Sequence, residues 1–506
     1  MGLSLSLRIN DKKYFRSLNL NNMIKLAYTL SSTLLLGLLA SAKPHTNIVY
    51  ILADDLGYGD LSILGQSHFE TPHIDKLARK GMIFTDHYSG STVCAPSRAS
   101  LLTGLHTGHA PVRGNLEWQP EGQYPMPEST YIIPQMLKRA GYTSGIFGKW
   151  GLGAPETPSE PLNMGFDRFY GYNCQRIAHH YYPYFLWDDD QLEVLWDNFG
   201  METGTYAPDL IHQEALDFIE ANQDQAFFCY YAIIQPHAEM FAQEEYMNKY
   251  RGKFLPESSY VGTDDGPDFR KFAYGSQPEA HAAFAAMVNC IDDYVGDIVA
   301  KLEALGIAED TLIIFTSDNG PHSEAGHNPE YFNSNGPFKG KKRDLYEGGI
   351  RVPMIANWPS QIEAGSRTNH ISAFWDVFPT IAEISGQPIP ENIDGLSFLP
   401  TLLGEDEQTE HEYLYWEFHE MKGRQAVRKG NWKGVRCNVS ISPDSPIELY
   451  DLSADMGETK NLAEQYPEIA AELSNLMTKA RSVHPDPNFN FPDRRYVPRN
   501  TLGSKK

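Results

Sequence analysis

Residues 47–53 read Asn-Ile-Val-Tyr-Ile-Leu-Ala, an apolar run of strand length that Asp54 and Asp55 follow directly. A second apolar run, Thr-Leu-Ile-Ile-Phe-Thr at residues 311–316, is followed by Ser317 and then Asp318. Continuous apolar runs of this length are typical of strands buried on both faces of a parallel sheet. Open α/β sheets bind their ligands beyond the carboxyl ends of the strands, where these acidic residues stand. The two stretches therefore predict an α/β fold with a ligand site at one sheet edge.

The polar residues at these two strand ends offer oxygen ligands. Three carboxylates and one carboxamide come from Asp54, Asp55, Asp318 and Asn319. Such a set suits a hard cation, Ca²⁺ or Mg²⁺, rather than zinc. The chain has five cysteines and no Cys-x-x-Cys pair, which also argues against a zinc ribbon. A plain turn after the strand remains the alternative for the two adjacent aspartates.

Residues 94–104 read Cys-Ala-Pro-Ser-Arg-Ala-Ser-Leu-Leu-Thr-Gly, which predicts a cysteine leading into a short helix that Gly104 ends. At a helix start, unpaired N–H groups and the positive end of the dipole favour an anion. Arg98, one turn further on, directs a permanent charge toward the same place. A buried structural cysteine beside a surface arginine is the alternative from these residues alone.

Two domains are expected from the length of 506 residues and from the change of pattern near residue 404. Apolar and amphipathic runs alternate between residues 44 and 403, as in α/β proteins, and this span is the predicted catalytic domain. The polar residues 404–410 predict a linker. Short alternating runs beyond it predict a C-terminal subdomain over residues 411–500, a small antiparallel sheet closed by a helix at 467–480.

The first 42 residues predict a leader. Lys25 precedes an apolar core at residues 26–39, and Ala-Ser-Ala at 40–42 resembles a signal-peptide cleavage site. Met23 is a candidate for the true start. The core is too short for a good membrane span, so we expect an exported protein, periplasmic or secreted, without a stable membrane anchor. The net charge of −23 argues against nucleic acid as a partner and requires local cations to hold any anionic substrate.

Residues 94–104 resemble the signature of the type I sulfatases, in which that cysteine is oxidised to formylglycine. Five more blocks resemble the family in its own order; these are Asp54-Asp55, Gly148-Lys149-Trp150, Pro236-His237, Asp318-Asn319-Gly320 and Lys342 with residues 346–353. Together they cover nearly the whole chain after the leader. The resemblance implies an alkaline-phosphatase-like mixed sheet sandwiched by helices, with a small C-terminal antiparallel sheet and helix.

The resemblance also implies a role for each matching residue. The implied ligands of Ca²⁺, which is favoured over Mg²⁺, are Asp54, Asp55, modified Cys94, Asp318 and Asn319. Arg98 would bind a metal-side carboxylate or the nucleophile, and Asp318 is a candidate acceptor of the nucleophile's proton. Lys149 and Lys342 would hold sulfate oxygens, and His237 would protonate the leaving oxygen. Taken singly, such lysines are usually solvated surface residues, and a histidine after proline is usually a turn residue.

The modification at Cys94 has a chemical reason. Hydrated formylglycine is a gem-diol; one hydroxyl attacks sulfur, and the other then loses its proton so that the aldehyde re-forms and sulfate leaves. A serine could be sulfated but could not be released in this way. A formylglycine-generating or maturase enzyme is therefore an implied partner.

One position departs from the family pattern. The family block usually reads Gly-Lys-Trp-His-Leu-Gly, but this chain has Gly151 where that histidine stands. The histidine contacts the gem-diol and is a candidate base for release of sulfate. We expect His179 to replace it, with His180 as the second choice and a core or sugar-stacking histidine as the alternative.

Gly151 and residues 175–183 and 416–420 resemble one bacterial branch of the family. That branch removes 4-O-sulfate from galactose or N-acetylgalactosamine in sulfated polysaccharides. The expected substrate is therefore a sulfated oligo- or polysaccharide, and the candidate substrate-binding residues are Arg113, Asn115, His180 and His419. Core packing is the alternative for the aromatic residues in these stretches.

The sequence thus predicts an exported, calcium-dependent carbohydrate sulfatase. A phosphomonoester or phosphonate hydrolase on the same scaffold is the nearest alternative, because Asp–metal–Lys sites handle both kinds of ester. A catalytically inactive sulfated-glycan-binding protein is the alternative from another class, and only Gly151 suggests it.

Overall fold

The structure is a computed structural model that describes residues 46–265 and 274–491, so the predicted leader lies outside the described residues. Its strands are β1 Asn47–Ala53, β2 Met82–Phe84, β3 His87–Tyr88, β4 Thr143–Lys149, β5 Arg168–Tyr172, β6 Phe185–Asp188, β7 Gln191–Val194, β8 Phe227–Ala232, β9 Thr311–Ser317, β10 Met354–Asn357, β11 Ser366–Thr368, β12 Ser372–Ala373, β13 Leu414–Phe418, β14 Arg424–Lys429, β15 Trp432–Cys437 and β16 Ile447–Asp451. Its α-helices are α1 Pro72–Arg79, α2 Cys94–Thr103, α3 Ile133–Arg139, α4 Ala207–Ala221, α5 Glu244–Tyr250, α6 Ala280–Leu305, α7 Pro329–Phe332, α8 Glu347–Ile350, α9 Val377–Ile384, α10 Leu399–Leu403 and α11 Pro467–Lys479.

A mixed ten-stranded sheet in the described residues has the order β11-β2-β10-β9-β1-β8-β4-β5-β6-β7. The central strands β9, β1, β8, β4 and β5 run parallel. Strand β10 runs antiparallel to β9 and β2, and β6 and β7 form an antiparallel edge. The α/β prediction with a mixed sheet is confirmed.

Helices cover both faces of this sheet because each central strand sends alternate apolar side chains to opposite sides. Val49 and Ile51 of β1 belong to a core with α1, α4 and α6. Ile48 and Leu52 belong to a second core with α2, α3 and α9. Because the described residues cover both faces of the sheet, its polar strand ends are where the sheet itself can meet a ligand.

The strand register sets the position of the site. Ala53 at the end of β1 lies opposite Ser317 at the end of β9, so Asp54 and Asp318 emerge side by side. Lys149 is the last residue of β4 and so stands at the same edge of the sheet. The pairing of β4 with β5 continues through Lys149.

The small C-terminal sheet has the antiparallel order β13-β14-β15-β16. One face packs on the larger part of the chain, where Trp416 meets Tyr88 and Trp375. The other face packs on α11, where Tyr415 and Leu449 belong to one core with Leu473 and Met477. The predicted sheet and closing helix are thus confirmed, whereas the division at residues 403 and 411 stays a prediction.

All five cysteines lie in the described part of the chain, and there each is unpaired. Within residues 46–265 and 274–491, no helix combines the length and the apolar character that crossing a membrane requires.

Candidate active site

Two strand ends place three carboxylates together. Asp54 and Asp55 follow β1, Asp318 follows β9, and each is 0% exposed. The backbone of Asp55 turns into the left-handed region with φ 66°, and its N–H donates to Asp318 Oδ1 at 3.1 Å. The turn after β1 is tied to the end of β9 again by Leu56, whose N–H donates to Ser317 Oγ at 2.9 Å. The acidic pair therefore belongs to the predicted ligand site at the sheet edge.

Cys94 is the first residue of α2 and is 1% exposed. Its Sγ lies 3.3 Å from Asp54 Oδ1, so the thiol faces the carboxylates. Arg98, one turn later, donates from Nε and Nη2 to Asp318 Oδ2 at 3.2 and 2.8 Å. Its Nη1 donates to the backbone oxygen of Lys149 at 2.9 Å. Helix α2 thus presents both Cys94 and a charge that neutralises Asp318.

Two buried lysines complete the charge balance. Lys149 Nζ lies 2.5 Å from Asp54 Oδ2, and Lys342 Nζ lies 2.6 Å from Asp55 Oδ2. Burial alone would lower the pKa of Lys149, but Asp54 outweighs it and raises that pKa. Burial likewise opposes the ionisation of Asp54, yet Lys149 and the other nearby cations hold the pKa of Asp54 below its usual value. Both lysines are thus positive groups beside Cys94 and not surface residues.

His237 lies against Lys342, with Nε2 3.0 Å from Nζ. Nε2 is also 3.4 Å from Asp55 Oδ2, and Nδ1 contacts the backbone oxygen of Ala238. Burial and the charge of Lys342 lower the pKa of His237 to about 4. The imidazole is therefore neutral at neutral pH, and Lys342 is the proton-bearing partner of the pair.

His179 reaches the same place. Its ring stacks on His237 with centroids 4.9 Å apart and planes 11° from parallel. Burial and the neighbouring His237 hold its pKa well below the usual range, so it is in the neutral form that a base requires. In the described residues its buried Nδ1 has no hydrogen-bond partner. The structure thus brings the predicted substitute to the site, while its role as a base stays a prediction.

The residues present fit a hard cation. Asn319 donates from Nδ2 to Asp55 Oδ1 at 2.6 Å, while its buried Oδ1 lacks a partner among the described residues. Burial, and after it the negative charge of Asp54, raise the pKa of Asp318 to about 7 even though Arg98 and Lys149 act to lower it. An orphan amide oxygen beside crowded carboxylates is the donor set that Ca²⁺ prefers. One atom each of Asp54, Asp55 and Cys94, three of the predicted ligands, lies within 4.8 Å of the others and of a ring nitrogen of His237, which is not among the predicted ligands.

The four candidate substrate contacts fall into two groups. Asn115 lies beside the nucleophile helix, where its Oδ1 accepts the N–H of Ala95 at 3.0 Å. His180 is buried, with Nδ1 3.5 Å from Glu239 Oε1. Arg113 is 1% exposed, and His419 is 5% exposed.

Arg113 and His419 share the buried carboxylate of Glu417. Arg113 Nη1 donates to Glu417 Oε1 at 3.1 Å, and His419 Nε2 lies 3.0 Å from the same oxygen. Arg113 also donates to Ser482. These bonds hold both side chains on a buried carboxylate, which favours structural roles, and the substrate contacts stay predictions.

Three residues near Lys342 were not predicted from the sequence. Glu324 Oε2 lies 3.3 Å from Lys342 Nζ and accepts from the hydroxyl of Tyr274 at 3.2 Å. His322 Nε2 lies 3.0 Å from the backbone oxygen of Pro236. His322 and Glu324 follow Asp318 by four and six residues, so their proximity to a strand end was the signal that could have identified them.

Known proteins resemble the chain over both sheets. The family called Sulfatase matches residues 46–387, and N-sulphoglucosamine sulphohydrolase, C-terminal, matches residues 338–483. An N-acetylgalactosamine-6-sulfatase of Rattus norvegicus is 36% identical over 394 residues, 73% of this chain and 68% of that protein. An N-acetylgalactosamine-6-O-sulfatase of Bacteroides thetaiotaomicron is 28% identical over an alignment of 530 positions, which covers 87% of this chain and 94% of that protein. The solved structure of Ps i-CgsB in complex with k-i-k-neocarrahexaose has a TM-score of 0.69 and 27% identity, and it covers 86% of this chain and 92% of that chain.

Proposed function

We propose that this chain, which belongs to the sulfatase family and is a sulfuric ester hydrolase, acts on a glycan. It would remove sulfate from a galactose-type sugar of that glycan. The nucleophile would be formylglycine derived from Cys94, and the metal would be Ca²⁺. One observation carries the proposal: the carboxylates of two strand ends and the amines of Lys149 and Lys342 converge on the first residue of α2.

Unmodified Cys94 is a poor nucleophile in this environment. Burial and the negative charge of Asp54 raise the pKa of the Cys94 thiol well above its usual value. Reactive cysteines show the opposite shift, because the thiolate is the reactive form. This favours a hydroxyl of hydrated formylglycine as the group that attacks sulfur, and a maturation enzyme would have to oxidise Cys94 first.

The residues around Cys94 can bind the sulfate group and orient it. Lys149 and Lys342 would hold two of its oxygens, which neutralises charge that grows during attack. Ca²⁺, held by Asp54, Asp55, Asp318 and Asn319, would withdraw charge from sulfate and ease the deprotonation of the attacking hydroxyl. Arg98 keeps Asp318 in place through its two hydrogen bonds.

The leaving oxygen needs a proton, and the pair of His237 and Lys342 can supply it. Their Nε2 and Nζ atoms are 3.0 Å apart, within the distance for proton transfer. Hydrated formylglycine at residue 94 would supply two hydroxyls, one to attack sulfur and one whose loss of a proton would let sulfate leave. His179 is our candidate for the group that would accept this proton.

The proposed sugar and the position of its sulfate rest only on the similarity of this chain to other sulfatases. The named relatives act on N-acetylgalactosamine sulfated at position 6, whereas residues 175–183 resemble a branch that acts on 4-O-sulfate. The related structure bound to a neocarrahexaose supports a glycan rather than an isolated sugar. We therefore propose a galactose-configured sugar sulfate, with positions 4 and 6 as the two alternatives, encountered outside the cytoplasm after export.

The test combines maturation with turnover. Protein expressed with a formylglycine-generating enzyme should carry the aldehyde at residue 94 in its tryptic peptide, as mass spectrometry can show. That protein should release sulfate from the 4-sulfate or the 6-sulfate of N-acetylgalactosamine or galactose, with the matched phosphate esters as controls. Faster release of phosphate than of sulfate would contradict the proposal.

A further inference from the structure

The side chain of Gln175 covers Gly151. Gly151 has φ +70°, and a Cβ at this position would lie 3.0 Å from both Cγ and Nε2 of Gln175. Gln175 is 6% exposed, and within residues 46–265 and 274–491 its Nε2 has no hydrogen-bond partner. Buried amide donors without partners are rare in folded proteins, so this one requires a separate explanation.

The segment that carries Gln175 borders the active site on two sides. At one end, Asn173 accepts the N–H of Gly151 through its backbone oxygen at 3.2 Å, two residues beyond Lys149. At the other end, His179 stacks on His237. Gln175 lies between these two points along the chain, and its Nε2 approaches Gly151, two residues beyond Lys149.

A hairpin at residues 115–124 extends from the same place toward solvent. It begins at Asn115, which accepts the N–H of Ala95 next to Cys94. A bridge between Glu117 and Gln123 closes it. Gln123 Oε1 accepts the backbone N–H of Gln175 at 3.3 Å, so the hairpin is joined to the segment. We call the hairpin together with residues 173–176 the cleft wall.

Trp118 stands at the outer end of the cleft wall. It is 46% exposed, and its ring lies edge-on to that of Tyr124, with centroids 6.4 Å apart and an angle of 87° between the ring planes. The backbone N–H of Trp118 donates to the backbone oxygen of Gly122 at 3.1 Å, which fixes the hairpin tip. Trp118 is three positions after Asn115 in the chain, so the two Cα atoms lie within about 11 Å of each other. That span is comparable with a short oligosaccharide.

We propose that the cleft wall is a glycan subsite: Gln175 donates to an oxygen of the sulfated sugar, and Trp118 stacks on the adjoining sugar. Sugar rings offer C–H faces to aromatic side chains and hydroxyl oxygens to amides, which matches an exposed indole and an unpaired amide donor on one wall. This inference rests on the proposed function. It specifies a substrate of at least two sugars.

The test compares substrates of increasing size in matured protein. The probes are 4-nitrophenyl sulfate, sulfated N-acetylgalactosamine, and a tetrasaccharide of alternating hexuronate and sulfated N-acetylgalactosamine. In Trp118→Ala the ratio of tetrasaccharide to monosaccharide kcat/KM should fall about tenfold, mainly through KM, and Trp118→Phe should restore part of it. In Gln175→Ala the ratio of monosaccharide to 4-nitrophenyl sulfate kcat/KM should fall about tenfold.

Trp196→Ala is the matched control. Trp196 is 72% exposed beside Phe199, just beyond the edge strand β7, and both ratios should stay at the wild-type value in this variant. An unchanged tetrasaccharide ratio in Trp118→Ala would overturn the subsite. Equal loss on all three probes would also overturn it, because that pattern indicates a structural role.

A binding measurement with the tetrasaccharide can test the subsite independently of the proposed function. If the wild-type protein releases no sulfate from any probe, the proposed function fails and the subsite is tested by tryptophan fluorescence. Addition of the tetrasaccharide should then shift the emission of the wild type and of Trp196→Ala but leave Trp118→Ala unchanged. The same response in all three proteins, or none in any, would overturn the subsite by itself.

Discussion

Two buried clusters of this molecule each combine three carboxylates with three cations. The site cluster consists of Asp54, Asp55, Asp318, Arg98, Lys149 and Lys342. The interface cluster lies between the small sheet and the larger part of the chain, and it consists of Asp86, Glu347, Glu458, Arg351, Arg428 and Lys433. Each contains one carboxyl whose pKa rises to about 7, Asp318 in the first and Glu458 in the second.

The arrangement within the clusters differs. Glu347 accepts from Lys433 Nζ at 2.7 Å, from Arg351 Nη1 at 3.0 Å and from the Tyr88 hydroxyl at 2.6 Å, so cations surround it. In the site cluster the charges of Asp54 and Asp55 both act on Asp318, the Cys94 thiol lies 3.3 Å from Asp54 Oδ1, and the Oδ1 of the adjacent Asn319 is unpaired in the described residues. Buried charge and a shifted pKa therefore do not identify a site, since Glu347 also raises the pKa of Glu458 in the interface cluster. The candidate nucleophile and the unpaired amide oxygen are what distinguish the site cluster.

Removing the nucleophile should give the largest effect. Cys94→Ala is expected to lower sulfate release by about 10⁵–10⁶-fold, because no other group can attack sulfur. The free energy of unfolding should change little. Cys94→Ser should be nearly as inactive, since a single hydroxyl cannot expel sulfate; full multiple turnover in the serine variant would show that the aldehyde mechanism is wrong.

The second prediction concerns the step in which the sulfated enzyme releases sulfate. His179→Ala should slow this step by about 10²–10⁴-fold, the usual cost of losing a positioned base. Sulfated peptide should accumulate in rapid-quench samples analysed by mass spectrometry. His212→Ala is the control, since His212 stacks on Tyr294 away from the site cluster. A raised KM with unchanged kcat would instead make His179 a substrate contact.

Sequence patterns predicted the site cluster better than the interface cluster for a physical reason. Asp54 and Asp318 follow uninterrupted apolar strands, so the pattern itself locates them at a sheet edge. Lys433 sits in a short alternating strand whose charged residue is typical of a solvent face, yet it is 0% exposed. Its burial depends on how the small sheet docks, which no local pattern encodes. The contact of Gln175 with Gly151 likewise depends on tertiary packing.

The third prediction tests the interface cluster. Lys433→Met should lower the free energy of unfolding by about 3–5 kcal/mol, because it leaves Glu347 and Glu458 buried with less compensating charge. Chemical denaturation measures this, and kcat of the folded fraction should be retained. Lys429→Met, which removes a solvent-exposed contact with Glu472, should change stability little. A loss of kcat without a loss of stability in Lys433→Met would show that the two clusters are functionally coupled.

The smallest expected effect is the change in Tm on adding Ca²⁺, which should depend on the site cluster and not on the interface cluster. An ion that binds only the folded state stabilises it by about 2.7 kcal/mol at a concentration 100 times its Kd, so Ca²⁺ should raise the Tm and chelation should lower it. Asp318→Asn keeps the shape of the side chain but removes one charge, and it should strongly reduce the Tm shift. Glu458→Gln, which changes the raised-pKa carboxyl of the interface cluster, should leave the shift intact. Equal reduction in both variants would mean that Ca²⁺ acts by general screening of an acidic chain and that the four oxygen ligands are wrongly assigned.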